Sequence, residues 1–154
     1  MLFRSQRNIE EYAGKRLPEL YSRLRSDFDV VIIDPPTGFG ELFSAVAKGV
    51  DRAVTVITPD HQALRNGDTV DRRLEELGVR RRCFVVNRVV PELWGSEELP
   101  GLEEMTRTMR CRLAGVLTED SGVHIGNNSG RPCASDHDSY LYGVFRNIAL
   151  NADI

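Results

Sequence analysis

Four short apolar runs, at 30–33, 53–58, 83–87 and 113–118, interrupt a chain whose intervening segments carry helical periodicity. None of the four alternates apolar with polar residues, and runs of that kind are the mark of strands covered on both faces. Strands separated by helices need right-handed crossovers, and crossovers of one hand build a parallel sheet with helices on its two sides. The expected fold is therefore α/β, with three layers and a mostly parallel sheet. The run at 30–33 is expected to be a strand buried on both faces that delivers Asp34 to the C-terminal edge of that sheet.

The segments between the runs read as helices. Ile9, Tyr12, Ala13, Leu17, Leu20, Tyr21 and Leu24 fall at helical spacing, with a kink or restart expected at Pro18. A short helix is expected over 41–49. Ala63, Leu64, Val70, Leu74 and Leu77 line one face of a longer helix that Gly78 ends. Another is expected across 101–111, and Leu141, Val144, Phe145 and Ile148 mark a closing helix that starts near Asp138 or Ser139. No repeat or linker divides the sequence, so 1–154 reads as a single domain. Three cysteines, Cys83, Cys111 and Cys133, never form a Cys-x-x-Cys pair, which argues against a disulfide framework or zinc knuckle and for idle thiols in a reducing cytoplasm. The formal charge of −3 gives no overall attraction to nucleic acid.

The segment Phe-Asp-Val-Val-Ile-Ile-Asp-Pro-Pro-Thr-Gly-Phe-Gly, 28–40, concentrates the chemistry. An apolar strand ending in an aspartate is the form of a Walker B element, whose carboxylate orders the water shell of a nucleotide-bound magnesium ion. An aspartate that caps the following turn has the same form. Gly38 and Gly40 give the backbone after Asp34 the freedom to approach a phosphate, and equally to make a plain turn.

Residues 28–89, with Gly-Val-Leu-Thr-Glu-Asp-Ser-Gly-Val-His-Ile-Gly-Asn-Asn-Ser-Gly-Arg-Pro at 115–132 and Tyr-Gly-Val-Phe-Arg-Asn-Ile-Ala-Leu at 142–150, resemble the MinD/ParA class of deviant-Walker P-loop ATPases, and its division-site branch most closely. The resemblance implies ATP and magnesium as the cofactors of the complete protein, and a part in selecting the cell-division site or in intracellular positioning. It implies that Asp34 acts on magnesium through water, and that Pro36, Thr37, Gly38, Phe39 and Gly40 form the segment that senses the γ-phosphate. It implies that Asn87 hydrogen-bonds the adenine beside Arg88, a task suited to an amide that donates and accepts at once. Glu119 and Asp120 match a stretch whose backbone borders the base, with Thr118 in place of the family's proline. Asp60, Arg65 and Asp68 match a surface region used for dimer and partner contacts, where a solvated helix face is the simpler reading of each. A homo-oligomer and partners from the same family are implied.

The family's Lys-Gly-Gly-x-Gly-Lys-[Ser/Thr] loop, whose amides cradle the phosphates, has no counterpart in the sequence; Gly14-Lys15 is the only Gly-Lys pair, followed by Arg16. The chain is thus expected to be the C-terminal portion of such an ATPase, inactive in hydrolysis by itself, because phosphoryl transfer rests on positioning. A fragment of this kind exposes apolar strand edges, which leads to an expectation of self-association or a rearranged fold. No basic amphipathic stretch is present near 154, so membrane binding by this chain is not expected. The same sequence admits five other readings. A freestanding ATPase-like interaction module has the same motifs. A nucleobase methyltransferase of Rossmann type places Asp-Pro-Pro-aromatic at a strand end, but Thr37 stands at the aromatic position. A receiver domain needs a lysine after a later strand, and none follows Lys48. Arg80, Arg81 and Arg82 suggest DNA contact, against which the acidic total favours a solvated loop, and Cys133, Asp136, His137 and Asp138 suggest a metal but read as loop and cap residues.

Overall fold

The computed structural model describes residues 16–35, 38 and 40–154. They divide into two compact units, one holding residues up to Ala53 together with Arg73–Arg81, the other holding Val54–Arg72 and Arg82–Ile154.

In the first unit a helix, α1, runs over 16–27, and α2 over Glu41–Ala47. Helix α1 passes through Pro18 without ending there, and the part of the expected helix before residue 16 lies outside the described residues. Tyr21 of α1 is buried and donates its hydroxyl proton to the Val46 carbonyl at 3.1 Å, while a Cβ on Gly49 would collide with the Tyr21 ring. Phe43 and Ala47 of α2 are also buried. Arg25 reaches the Gly49 carbonyl at 2.7 Å and Asp51 at 3.1 Å.

The strand expected at 30–33 does not form. Residues 28–35 pair with no strand among the described residues, and Ile32 is 84% exposed. A strand is held by ladder hydrogen bonds and by what covers its faces, so an apolar run without a neighbour has nothing to fix it. Apolar sequence alone does not make a strand.

The other three runs do. The sheet consists of β1 (Arg52–Ile57), β2 (Arg81–Val89) and β3 (Arg112–Thr118), in the order β1-β2-β3. Strands β2 and β3 are parallel, with Phe84 opposite Leu113 and Val86 opposite Val116. Helices α3 (His61–Glu76), α4 (Leu102–Thr108), α5 (Ser121–Ser129) and α6 (Tyr140–Asn151) occupy the connections and the end of the chain. The α/β architecture with helices flanking a parallel sheet is thus the one expected.

Within the second unit the sheet has two differently covered faces. On one, Ile57, Phe84, Val86 and Val89 pack with Leu64 of α3 and with Met105 and Met109 from α4 and the turn after it. A Cβ on Gly67 would press on Ile57 and Met109, so the glycine lets α3 approach closely. On the other face, Cys83, Val85 and Ala114 pack with Ala152, joined by Ile148 of α6. Leu113 and Val116 both reach the first core although three residues apart, and the register shift between Phe84 and Val85 accommodates the extra residue. Gly115, beside that shift, faces Ile148 so closely that a Cβ would force α6 outward.

The starts of α3 and α6 follow side-chain chemistry. Ser139 caps α6 by accepting the Tyr142 N–H at 3.0 Å. Asp60 caps α3: its Oδ1 accepts the Ala63 N–H at 2.7 Å and its Oδ2 accepts the Thr58 hydroxyl at 2.5 Å. These bonds favour the carboxylate and hold its pKa below the ordinary 3.8, the Thr58 bond being the larger cause. Asp60→Ala is therefore expected to lower stability by about 1 kcal/mol at neutral pH. Because the folded pKa is depressed, the charged cap's contribution is complete above 3.8 and is lost as the pH falls through the lower folded value. Urea titrations of both proteins at pH 7 and pH 3 check this, and a gap that fails to narrow at pH 3 would count against the cap as a charged one.

Candidate functional site

The C-terminal ends of β2 and β3 lie side by side, and this is where ligands bind in open α/β folds. Val89 pairs with Thr118, and the Glu119 N–H donates to the Val89 carbonyl at 2.8 Å. Between Val86 and Val89 the register shifts, and Arg88 takes a left-handed backbone with φ of 60°. Such a conformation is unusual for a side chain of this size, and a bulge of this kind re-aims the residues it contains. Here it turns Asn87 and Arg88 out of the ladder's regular alternation.

The Asn87 side-chain oxygen accepts the Arg88 N–H at 2.9 Å, which fixes the amide's orientation. Its Nδ2 makes no hydrogen bond with the described residues, which leaves its N–H donors for another partner. Arg88 in turn pairs with Glu119 across the two strand ends, Nη2 to Oε1 at 3.1 Å. The pair is well exposed and contributes little stability, but it ties residues separated by 31 positions to one edge. Asp120 caps α5, its Oδ1 accepting the Gly122 N–H at 2.6 Å. A purine edge carries ring nitrogens that accept, so a pinned amide with free donors suits it. The structure thus brings Asn87, Arg88, Glu119 and Asp120 together.

Asp34, Gly38 and Gly40 belong to the other unit. The Asp34 carboxylate is exposed. Gly38 has φ of 107°, a conformation only glycine adopts without strain, and a Cβ there would meet nothing; the requirement at 38 is conformational and not one of space. Gly40 precedes α2 with extended backbone as its N-cap. Pro36, Thr37 and Phe39 lie outside the described residues.

The surface helix region has local explanations. Asp60 is the α3 cap, Arg65 donates to Gln62 at 3.0 Å, and Asp68 lies between Arg72 at 2.6 Å and Arg110 at 3.6 Å. In the loop before α6, Asp136 accepts the Asp138 N–H at 3.1 Å, and the described residues hold no cluster of three or more metal-ligating side chains. Among the described residues no helix is long and apolar enough to cross a membrane.

One feature escaped sequence reasoning. Arg81 opens strand β2 and Arg82 turns inward, with only 10% of its side chain exposed, where a solvated loop was expected. It pairs with Asp71 of α3, wholly buried, at 2.8 Å. The available signal was the position of Asp71, seven residues after Leu64 and three before Leu74, on the apolar stripe of α3. Cys111 is beside this pair, its thiol pushed up to about 12 by burial and then by the Asp71 charge. It remains a thiol at neutral pH.

No family model matches the chain. The chain is 30% identical to the septum site-determining protein MinD of Bacillus subtilis over 138 residues, which is 89% of this chain and 52% of that protein. It is 32% identical to the chloroplastic MinD homologue of Arabidopsis thaliana, over 86% of this chain and 42% of that one. Among solved structures, MinD of Pyrococcus horikoshii complexed with Mg-ADP superposes with a TM-score of 0.75 at 26% identity, covering 91% of this chain and 56% of that chain. A MinC:MinD cell division protein complex from Aquifex aeolicus gives a TM-score of 0.77 at 21% identity, a likeness of fold. The chain spans about half the length of the curated relatives it matches.

Proposed function

Because this chain is a homologue of the septum site-determining MinD proteins, matching their C-terminal portion, we propose that it supplies the base-binding part of a MinD-like ATPase used in cell-division site selection. The observation that carries the proposal is the edge formed by Asn87, Arg88 and Glu119, in which the Asn87 oxygen is pinned at 2.9 Å and its amide N–H groups make no hydrogen bond with the described residues. In this reading Asn87 donates to an adenine ring nitrogen and Arg88 and Glu119 wall the base, while the backbone of Glu119 and Asp120 borders it. Asp34 holds magnesium through water, and Gly38 and Gly40 sense the γ-phosphate. Magnesium, if held there, would supply positive charge to neutralise the phosphates.

The side chains of Asn87, Arg88 and Glu119 suit base recognition, and we assign no hydrolysis to this chain alone. We place it in the cytoplasm, as a self-associating protein that works with partners of the MinC kind, as in the Aquifex complex. The chain is one domain portion in this reading.

The test is calorimetric titration of the chain with magnesium and ADP or GDP. ADP is expected to bind more tightly than GDP, and Asn87→Ala to weaken ADP by about tenfold, the value of one lost hydrogen bond of about 1.4 kcal/mol. Equal ADP binding by the variant, or no ADP binding by the parent chain at millimolar nucleotide, would sink the assignment.

A further inference from the structure

With its oxygen taken by the Arg88 N–H at 2.9 Å, the Asn87 amide recognises a base by donation alone. Adenine and guanine both carry ring nitrogens that accept, so Asn87 does not separate them. The two purines differ along the Watson–Crick edge, where adenine has an acceptor at N1 and an amine at N6, and guanine has adjacent donors at N1 and N2. Discrimination therefore turns on whether the strand ends offer an acceptor to that pair of donors. A carboxylate is the side chain suited to them, since its two oxygens accept side by side.

Two carboxylates follow β3. Asp120 has its Oδ1 committed to the Gly122 N–H at 2.6 Å as the cap of α5. Glu119 is held beside β2 by its N–H, which donates to the Val89 carbonyl at 2.8 Å, and its side chain is 37% exposed. Left bare, that carboxylate would accept from guanine. Arg88 occupies it: from the bulge at φ of 60°, its Nη2 reaches Glu119 Oε1 at 3.1 Å. We infer that the Arg88–Glu119 pair is the specificity element of the base site, masking the carboxylate and so placing adenine above guanine; the inference rests on the base-binding reading of this edge. With the pair closed, the edge presents donors from Asn87 and Arg88, and the N1–H and N2–H groups of guanine lose water without gaining an acceptor. The preference is made by a mismatch with guanine and needs no extra contact to adenine. An exposed pair adds little to folding, so its role in specificity is open to test in a folded chain.

The experiment titrates the chain and its variants with GDP and with ADP, each with magnesium, by calorimetry. Arg88→Ala is expected to bind GDP about tenfold more tightly than the parent chain does, the effect of one hydrogen bond to a charged acceptor. The gain comes although the substitution removes a positive charge, which by itself weakens the binding of any nucleotide. Arg88→Gly, whose backbone takes a φ of 60° without strain, is expected to show the same gain. Arg88→Lys keeps a cation against Glu119 and should show none, and adding Glu119→Gln to Arg88→Ala should erase it. General damage to the site weakens both nucleotides and cannot produce a gain. GDP binding by the alanine and glycine variants no tighter than by the parent overturns the inference, and so does a gain that survives Glu119→Gln. ADP binding by the parent reports separately on the base-site reading. ADP bound with no gain for GDP sinks the mask alone, whereas a gain for GDP in a chain that ignores ADP keeps the mask and sinks the adenine assignment.

Discussion

Arg82→Met is expected to lower folding stability by about 3–5 kcal/mol, read as a fall in the urea midpoint at unchanged slope. Asp71 is wholly buried and its Oδ1 lies 2.8 Å from the Arg82 Nε, so the substitution takes away the guanidinium that answers a carboxylate held away from water. The loss measures a stranded charge and not the worth of the pair, which balances two large desolvation penalties against one attraction. The double variant Asp71→Leu, Arg82→Met should for that reason recover most of the loss, since both charges leave together. A double variant as unstable as the single one would show that the two side chains act by shape or through other contacts, and the account of a compensated buried charge would be wrong.

Phe84→Ala should destabilise by a similar amount, about 3–5 kcal/mol, by a different cause. Phe84 has no exposed surface and stands in the central strand, enclosed by Ile57, Leu64, Val86, Val89, Met105 and Met109. Truncation leaves a cavity walled by three elements that already pack on one another, so collapse is limited. Val54→Ala provides the contrast within the same sheet. Its side chain is partly bare, and the change should stay within about 0.5 kcal/mol. If Val54→Ala is as damaging as Phe84→Ala, the division of the sheet into a packed centre and an uncovered edge fails.

These two residues also show unequal legibility. Phe84 is readable in the sequence because Cys-Phe-Val-Val is apolar without alternation, and a central strand with both faces covered needs that pattern. Arg82 is not readable in the same way. Three consecutive arginines after Gly78 and Val79 suggest a solvated turn, whereas strand geometry sends Arg81 outward and Arg82 inward to a carboxylate on another element. The placement of Asp71 among the apolar positions of α3 is a local hint, but its partner is eleven residues on and in a different element.

The candidate site divides along the same line. Asn87 and Glu119 were identifiable from the motifs around them, each at the end of an apolar run. The bulge that turns Arg88 to positive φ and pins the Asn87 amide has no local sequence signal, since glycine would be the residue expected there. The run at 30–33 marks the limit most clearly. It is as apolar as the three that became strands, yet it joins no ladder among the described residues.

The amino-acid sequence by itself determined the α/β class, the sites of β1, β2 and β3, the helix start near Ser139, and the residue types at the strand ends. These depend on local periodicity, capping and side-chain chemistry, which act within a few residues. Only the tertiary structure decided which apolar run is paired, which arginine is buried, and that Arg88 meets Glu119. Ladder hydrogen bonds, burial and ion pairing are made between segments distant in the chain, so their outcome depends on what each segment finds beside it.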